Sequence, residues 1–393
     1  MQNTRTLNSQ GFLKNLRLLP VLIPLILAAC RPAAAARINP TVTAKTTAAV
    51  PAQISEFPTA LPTTQGTAVP KGYNPLTGLI VSNPAKLNRR PLLIKVSNYP
   101  RYGRPHAGLS FADIVFEYYI GLEENRFLAL YYGQDVSKVG PVRSGRLVDG
   151  PLTNMYGGIL GYGNADPQVD KVLINDLGNR AMAFKDMTCP AMCGLDTHSI
   201  AGVFADTAAM SKLASKEGIN NSRQDLNGML FDATKPASGQ PGTRIGVEYG
   251  LEDRGEWRYN SKTGMYLRWI ESAAGTSENH IPMEALTDRL TGKQLAFANV
   301  IILFTVYKEY APTLFDTMIT ENTHSQRAVY FRNGKMIDGF WRTAFDNRPI
   351  QFLDANKSLM PLKPGNSWIV LTGNSSTLDK PSAGNWELRF AIP

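Results

Sequence analysis

A chain of 393 residues, 43% hydrophobic and 19% charged, is long enough for two or three domains and too apolar to be wholly disordered. Its 33 Gly without a three-residue period exclude a collagen-like chain, and its 3 Cys exclude a disulfide-dense scaffold. A polytopic helical membrane protein is excluded because no apolar run reaches about 18 residues. The formal charge of +9 admits nucleic-acid or anionic-membrane partners, so where the charges lie decides.

Residues 1–29 read as an export signal. Arg5, Lys14 and Arg17 form a cationic start, and Leu18 to Leu27 is apolar but too short to span a bilayer, with Pro20 and Pro24 weakening it further. The segment ends in Leu27-Ala28-Ala29-Cys30, which resembles a bacterial lipobox. That resemblance implies that Cys30 carries the lipid and becomes the mature N-terminus, anchored to a membrane on its extracytoplasmic side. Residues 30–72 are rich in Ala, Thr and Pro without apolar periodicity, and are expected to be a disordered tether. Residues 1–70 hold six basic side chains against Glu56, which leaves a charge of +4 for the rest. With no Lys/Arg-dense stripe interleaved with aromatics, nucleic acid is not an expected partner.

The folded body is predicted to be α+β, with a mixed α/β domain around a small sheet over 73–232 and a mainly β domain over 243–393. Pro91 to Ser97, Ile114 to Tyr119 and Arg126 to Tyr132 read as strands. Ser144 to Met155 reads as a helix, Asp166 to Asp176 includes a short one, and Thr197 or Ser199 is the expected cap of a helix running to Lys216. After the polar stretch Asp232 to Thr243, strands are expected at Arg244 to Tyr249, Gly255 to Tyr259, Met265 to Ile270, Val300 to Tyr307 and Ser367 to Leu371. Ala328 to Arg332 and Lys335 to Trp341 flank Asn333-Gly334, the signal of a type I′ hairpin.

Several motifs taken together resemble a known family. They are Asn74-Pro75-Leu76-Thr77-Gly78-Leu79, Arg104-Pro105-His106-Ala107-Gly108-Leu109-Ser110, Ala112 to Glu117, Arg126-Phe127-Leu128-Ala129 and Val139-Gly140-Pro141-Val142-Arg143-Ser144-Gly145-Arg146. The later half adds Phe331-Arg332-Asn333-Gly334-Lys335, Gly339-Phe340-Trp341-Arg342 and Pro364 to Ile369. In this order they resemble the YerB-like family of bacterial lipoproteins, which have an N-terminal and a C-terminal domain of unknown function. The chain departs from the family pattern at His106, where Gln is usual, and at Glu123-Glu124-Asn125, where Glu-Gly-Gly is usual. The resemblance implies an architecture and a place in the cell envelope; it implies no reaction.

Two readings compete for Arg143, Ser144 and Arg146. A Gly-Pro turn leads them into the expected helix start, where free amides and two guanidinium forks suit a carboxylate or phosphate. Alternatively Ser144 caps the helix and each Arg pairs with Asp113, Glu117 or Asp149. Asp113 and Glu117 lie four residues apart on one strand face, about 13 Å and too far for a glycosidase-type pair. A rival enzymatic reading, a cell-wall-modifying hydrolase or transferase, would need Arg104, His106, Asp113, Glu117, Arg126 and Ser144 in one cleft. Cys189 and Cys193 are expected to close a disulfide loop; in a metal-binding alternative Asp196 and His198 would join them. No nucleophile elbow, Walker loop, HExxH or dinucleotide fingerprint occurs, so no cofactor is expected. The expected partners are a membrane, through the anchor, and a cell-wall ligand or envelope protein.

Overall fold

The computed structural model describes residues 70–392, apart from 185–188, 195–201, 273–280 and the single positions 313, 323 and 346. The export signal, Cys30 and nearly all of the tether lie outside the described residues, as do Asp196, Thr197, His198 and Ser199. The elements that build the core are, in chain order, β1 (Leu92–Val96), β2 (Ile114–Gly121), β3 (Glu124–Tyr131), α1 (Asp149–Met155), β4 (Ile159–Tyr162), α2 (Pro167–Leu177), β5 (Ala181–Ala183) and α3 (Thr207–Lys216). The second half supplies β6 (Gln240–Glu248), β7 (Arg254–Asn260), β8 (Met265–Glu271), β9 (Asn299–Thr305), β10 (Gln326–Arg332), β11 (Lys335–Arg342), β12 (Gln351–Leu353), β13 (Ser367–Gly373), β14 (Thr377–Ser382) and β15 (Gly384–Arg389). The fold is α+β, with a mixed first half and a β-rich second half.

The two halves share a sheet. Its strand order is β5-β4-β1-β3-β2-β13-β9-β10-β11-β12. The junction is β13, which runs parallel to β2 on one side (Ile369 opposite Phe116) and to β9 on the other (Ile369 opposite Ile301). Both faces of this sheet are covered, which is why β9 is apolar without alternation from Val300 to Phe304 and β1 is apolar apart from Lys95. A second sheet, β14-β15-β6-β7-β8, packs on one face together with α3, around Trp257, Tyr266, Phe297 and Trp368. Helices α1 and α2 cover the other face through Leu152, Met155, Val169 and Leu173.

Local signals account for several boundaries. Asp166 Oδ1 accepts the Gln168 amide at 2.9 Å and Pro167 opens α2. Asn333 (φ 52°) and Gly334 (φ 73°) make the hairpin turn between β10 and β11. Three expectations need correction. The helix expected from Ser144 begins at Asp149, because the amides of Arg143 and Gly145 are already bonded to Lys95 O and Asn164 O. The cap of α3 is Asp206, whose Oδ1 accepts from Ala209 N at 2.9 Å, so this helix starts well after Ser199. The run Val300 to Tyr307 is divided: β9 ends at Thr305, Val306 is exposed, and Tyr307 opens a separate two-stranded ribbon with Leu314–Thr317. Cys189 and Cys193 are joined as a disulfide, with Cα atoms 4.9 Å apart.

Candidate functional site

Strand alternation sorts the polar side chains of β1, β2 and β3 onto two opposite faces. Lys95 lies opposite Leu128 and Tyr118 opposite Arg126, so Lys95, Tyr118 and Arg126 share the face that carries α1. Glu117 lies opposite Phe127 and, with Asn125, points to the face that carries the second sheet.

On the α1 face a buried triad forms. Lys95 Nζ contacts the Tyr118 hydroxyl, lies 4.0 Å from the Tyr118 ring centroid and donates to Asp149 Oδ1 at 3.3 Å. The Tyr118 hydroxyl donates to the same carboxylate oxygen, and Asp149 Oδ2 accepts the Arg146 amide at 2.7 Å. Burial pushes the Lys95 ammonium down to about 7. Asp149 opposes that shift, and the neighbouring Arg126 and Arg146 add to it.

Around this triad stand three arginines. The loop that brings Arg143 and Arg146 is tied to the sheet by Arg143 N to Lys95 O (2.9 Å) and to the following strand by Gly163 N to Arg143 O (2.9 Å). Arg126 is 6% exposed, whereas Arg143 and Arg146 are half-buried and reach solvent. Their donors are almost unused among the described residues. Arg126 Nη1 donates to Ser144 O at 3.2 Å and Arg146 Nη1 to Gly145 O at 2.9 Å. The Nε of all three has no partner, and no carboxylate of the described residues forms an ion pair with any of them. Glu124 attracts each guanidinium only from beyond ion-pair distance. Burial, then mutual repulsion with Arg146 and Arg143, brings Arg126 down to about 9; burial also lowers Arg143 and Arg146.

The expected arginine partners are engaged elsewhere. Asp113 accepts from Asn74 Nδ2 (2.8 Å), Tyr132 N (2.6 Å) and Gly133 N (3.2 Å), and closes the turn into β2. Glu117 belongs to the other face, and Asp149 holds Lys95, Tyr118 and a backbone amide. Ser144 caps no helix; its hydroxyl donates to Asn164 Oδ1 at 2.6 Å. The amides of Arg143, Gly145 and Arg146 are already bonded, so anion recognition by these residues belongs to the guanidinium groups rather than to a helix start.

On the second face the carboxylates find their donors within the chain. Glu117 accepts from Trp368 Nε1 (2.6 Å), Asn125 Nδ2 (3.0 Å) and Arg268 Nη2 (3.3 Å). Arg268 lies 3.9 Å from the Trp257 ring centroid and 5.1 Å from that of Trp368. A Cβ at Gly255 would meet this guanidinium at 2.2 Å, which accounts for glycine there. Arg104 pairs with Glu271 at 2.6 Å, and the Tyr99 hydroxyl donates to the same oxygen at 2.6 Å. Asp253 accepts from Asn125 N (2.7 Å) and Nδ2 (2.9 Å). Burial raises Glu117 and raises Asp253 well above the usual carboxylate range. His106 Nε2 donates to Ser97 O at 2.7 Å while its buried Nδ1 has no partner among the described residues; burial, with help from Arg104, pushes the ring down to about 3.

The six groups of the hydrolase or transferase reading therefore do not converge. Arg126 and Ser144 are on the α1 side, Arg104, His106 and Glu117 on the other, and Asp113 is consumed in a turn. Ser144 and His106 bond to different partners and form no nucleophile–base pair. A surface cleft of about 580 Å³ bordered by Lys71, Tyr73, Asn83 and Arg223 brings no buried ionisable group together. The residues that sequence patterns did not single out are Lys95, Tyr118, Asp253, Arg268 and Glu271. For Lys95 a signal existed: it is the one charged residue in an otherwise apolar, wholly buried strand.

Residues 76–220 match the family model described as "Protein of unknown function (DUF3048) N-terminal domain", and residues 245–369 match its C-terminal domain. The chain belongs to this YerB-like family. It is 27% identical over 310 residues to "Putative lipoprotein YerB" of Bacillus subtilis (strain 168), which covers 75% of this chain and 84% of that protein. The crystal structure of the YerB protein from Bacillus subtilis is similar with a TM-score of 0.63 at 26% identity, over 76% of this chain and 96% of that one. The family description assigns no activity, so the chemistry of the YerB-like fold in this chain has to be read from its own side chains.

Proposed function

We propose that this protein is a lipid-anchored cell-envelope protein that binds an anionic envelope ligand, small or carried on a protein partner, through Arg126, Arg143 and Arg146. One observation carries the reading: three guanidinium groups are gathered on one sheet face with no acidic side chain of the described residues paired to them. Collecting like charges in a partly dry site is unfavourable unless something of opposite charge completes it. Guanidinium forks suit carboxylate and phosphate oxygens in paired hydrogen bonds. The anchor rests on the lipobox-like run ending in Cys30 and on the lipoprotein name of the relative.

The test uses the whole chain and purified cell walls. Wild-type protein should sediment with the walls at low salt and less so at high salt, whereas Arg143→Ala combined with Arg146→Ala should stay in solution with its fold intact. Equal sedimentation of both proteins would sink the reading. Assaying the same supernatants for released wall fragments reads out any hydrolase activity directly. For the anchor, mass spectrometry of the mature N-terminus should find lipid on Cys30, and Cys30→Ser should release the protein from membranes.

A further inference from the structure

The arginine site has a second layer. Behind the guanidinium groups, Lys95 is fully buried between Tyr118 and Asp149 and faces Arg126 from β3 and Arg146 from the loop before α1. Asp149 ties the layers together, since one oxygen serves Lys95 and Tyr118 and the other holds the Arg146 amide. The Lys95 carbonyl in turn holds the Arg143 amide. The charge of Lys95 and the loop that presents two of the arginines are thus parts of one structure.

The arithmetic of charge narrows the ligand. Three guanidinium groups face one another; among the described residues Glu124 acts on all three from a distance, and Asp149 and Asp166 act on Arg146 without an ion pair. A lone carboxylate can make one forked contact and would leave two of the guanidinium groups unpaired. A tetrahedral dianion offers enough charge and enough oxygens for several forked contacts. Tyr102, 68% exposed and electrostatically coupled to Arg143, stands beside the site as a face for whatever carries the anion.

Building on the anion-binding reading above, we infer that the site takes a dianionic phosphoryl group, and that Lys95 gains a proton when the group binds. The unliganded site disfavours a charged Lys95 through burial and through Arg126 and Arg146. A dianion among the arginines cancels their repulsion, and the ammonium then becomes the favoured form with Asp149 as its partner. The proton comes from the buffer, and no covalent bond is made or broken.

Sulfate is the decisive probe because it does not itself titrate near neutrality. Calorimetric titration of the whole chain near pH ~8, in buffers of different ionisation enthalpy, should show sulfate binding with uptake of up to about one proton. Acetate should bind at least about tenfold more weakly, the margin expected when charge-assisted hydrogen bonds are lost. Lys95→Met should keep sulfate binding and lose the proton uptake; should that variant not fold, the wild-type buffer series alone decides. Glucose 1-phosphate binding more tightly than inorganic phosphate would assign the phosphoryl group to a larger molecule, and equal binding would assign it to free phosphate. Sulfate binding without proton uptake, or acetate binding as tightly as sulfate, would overturn this inference and leave the anion site standing. No binding of any of these anions, with Arg143→Ala plus Arg146→Ala still indistinguishable from wild type on cell walls, would overturn both.

Discussion

The same pair of strands, β2 and β3, presents two buried polar clusters of opposite design. On the face toward the second sheet, Glu117, Asp253 and Glu271 meet Arg268, Arg104, Tyr99, Asn125 and Trp368, and nearly every carboxylate oxygen has a donor. On the α1 face, Arg126, Arg143 and Arg146 surround a Lys95–Tyr118–Asp149 triad with most of their own donors unused among the described residues. The first cluster is closed within the chain and joins the two halves, since Glu117 and Asn125 come from the first half and Arg268, Asp253 and Trp368 from the second. The second lies within the first half and stays electrostatically incomplete. Burial alone therefore does not mark a functional site; burial with unmatched charge does.

Substitutions can break this contrast. The largest effect is expected on the matched face: Arg268→Leu leaves Glu117 buried without its cation and should cost about 3–5 kcal/mol in chemical denaturation at neutral pH. That loss should shrink in acid, where Glu117, already raised by burial, becomes neutral. A smaller cost from Arg268→Leu than from removing the open-face arginines would invert the comparison.

His106 gives the next effect, and it is specific to pH. Its folded value of about 3 lies below the ordinary 6.5, so between these the unfolded chain binds a proton that the native chain does not. The contribution is therefore present above pH 6.5 and is lost on acidification. The stability difference between wild type and His106→Gln should change by roughly 3 kcal/mol between pH 6.5 and 4, at about 1.4 kcal/mol per unit. A flat difference curve would place a proton acceptor at Nδ1. Comparing the two proteins matters, because Glu117 and Asp253, with raised values, titrate in the opposite sense.

On the open face the sign should reverse. Arg143→Ala with Arg146→Ala should leave stability unchanged or raise it by about 1 kcal/mol, since like-charge repulsion is relieved. A loss of more than about 2 kcal/mol in thermal melts would show that these side chains hold the fold. The smallest effect belongs to Ser144→Ala, which removes one hydrogen bond to Asn164 in an exposed loop and should change stability by no more than about 0.5 kcal/mol.

Much of the fold was legible before any coordinates. The apolar runs at Leu92–Val96 and Ser367–Gly373 are strands because both their faces are covered, and Asn333-Gly334 turns a hairpin because both residues accept positive φ. The misplaced boundaries share a cause. Ser144 and the Thr197–Ser199 region carry good capping chemistry, but the Gly145 amide is taken by Asn164 O and the Arg146 amide by Asp149 Oδ2, and Asp206 captures the start of α3. Several side chains near each helix could cap it, and the path of the backbone decides which one reaches the first free amides. The candidate site was half legible: Arg143, Ser144 and Arg146 stood out by spacing, and Arg126 by motif. Lys95 was hidden in an apolar run, and Asp149 was seen only as a partner for arginines.

By itself, the sequence determined the order of the elements, the α+β composition and the family, because these follow from periodicity, turn chemistry and motifs held in order along the chain. Tertiary structure alone decided which charges meet. Strand alternation sends Glu117 and Tyr118, neighbours in sequence, to opposite faces; the parallel pairing of β13 with β2 brings Trp368 to Glu117; and no carboxylate of the described residues forms an ion pair with Arg126, Arg143 or Arg146. Pairing of charges depends on contacts a few ångströms across between residues far apart in the chain, and that information is absent from local spacing.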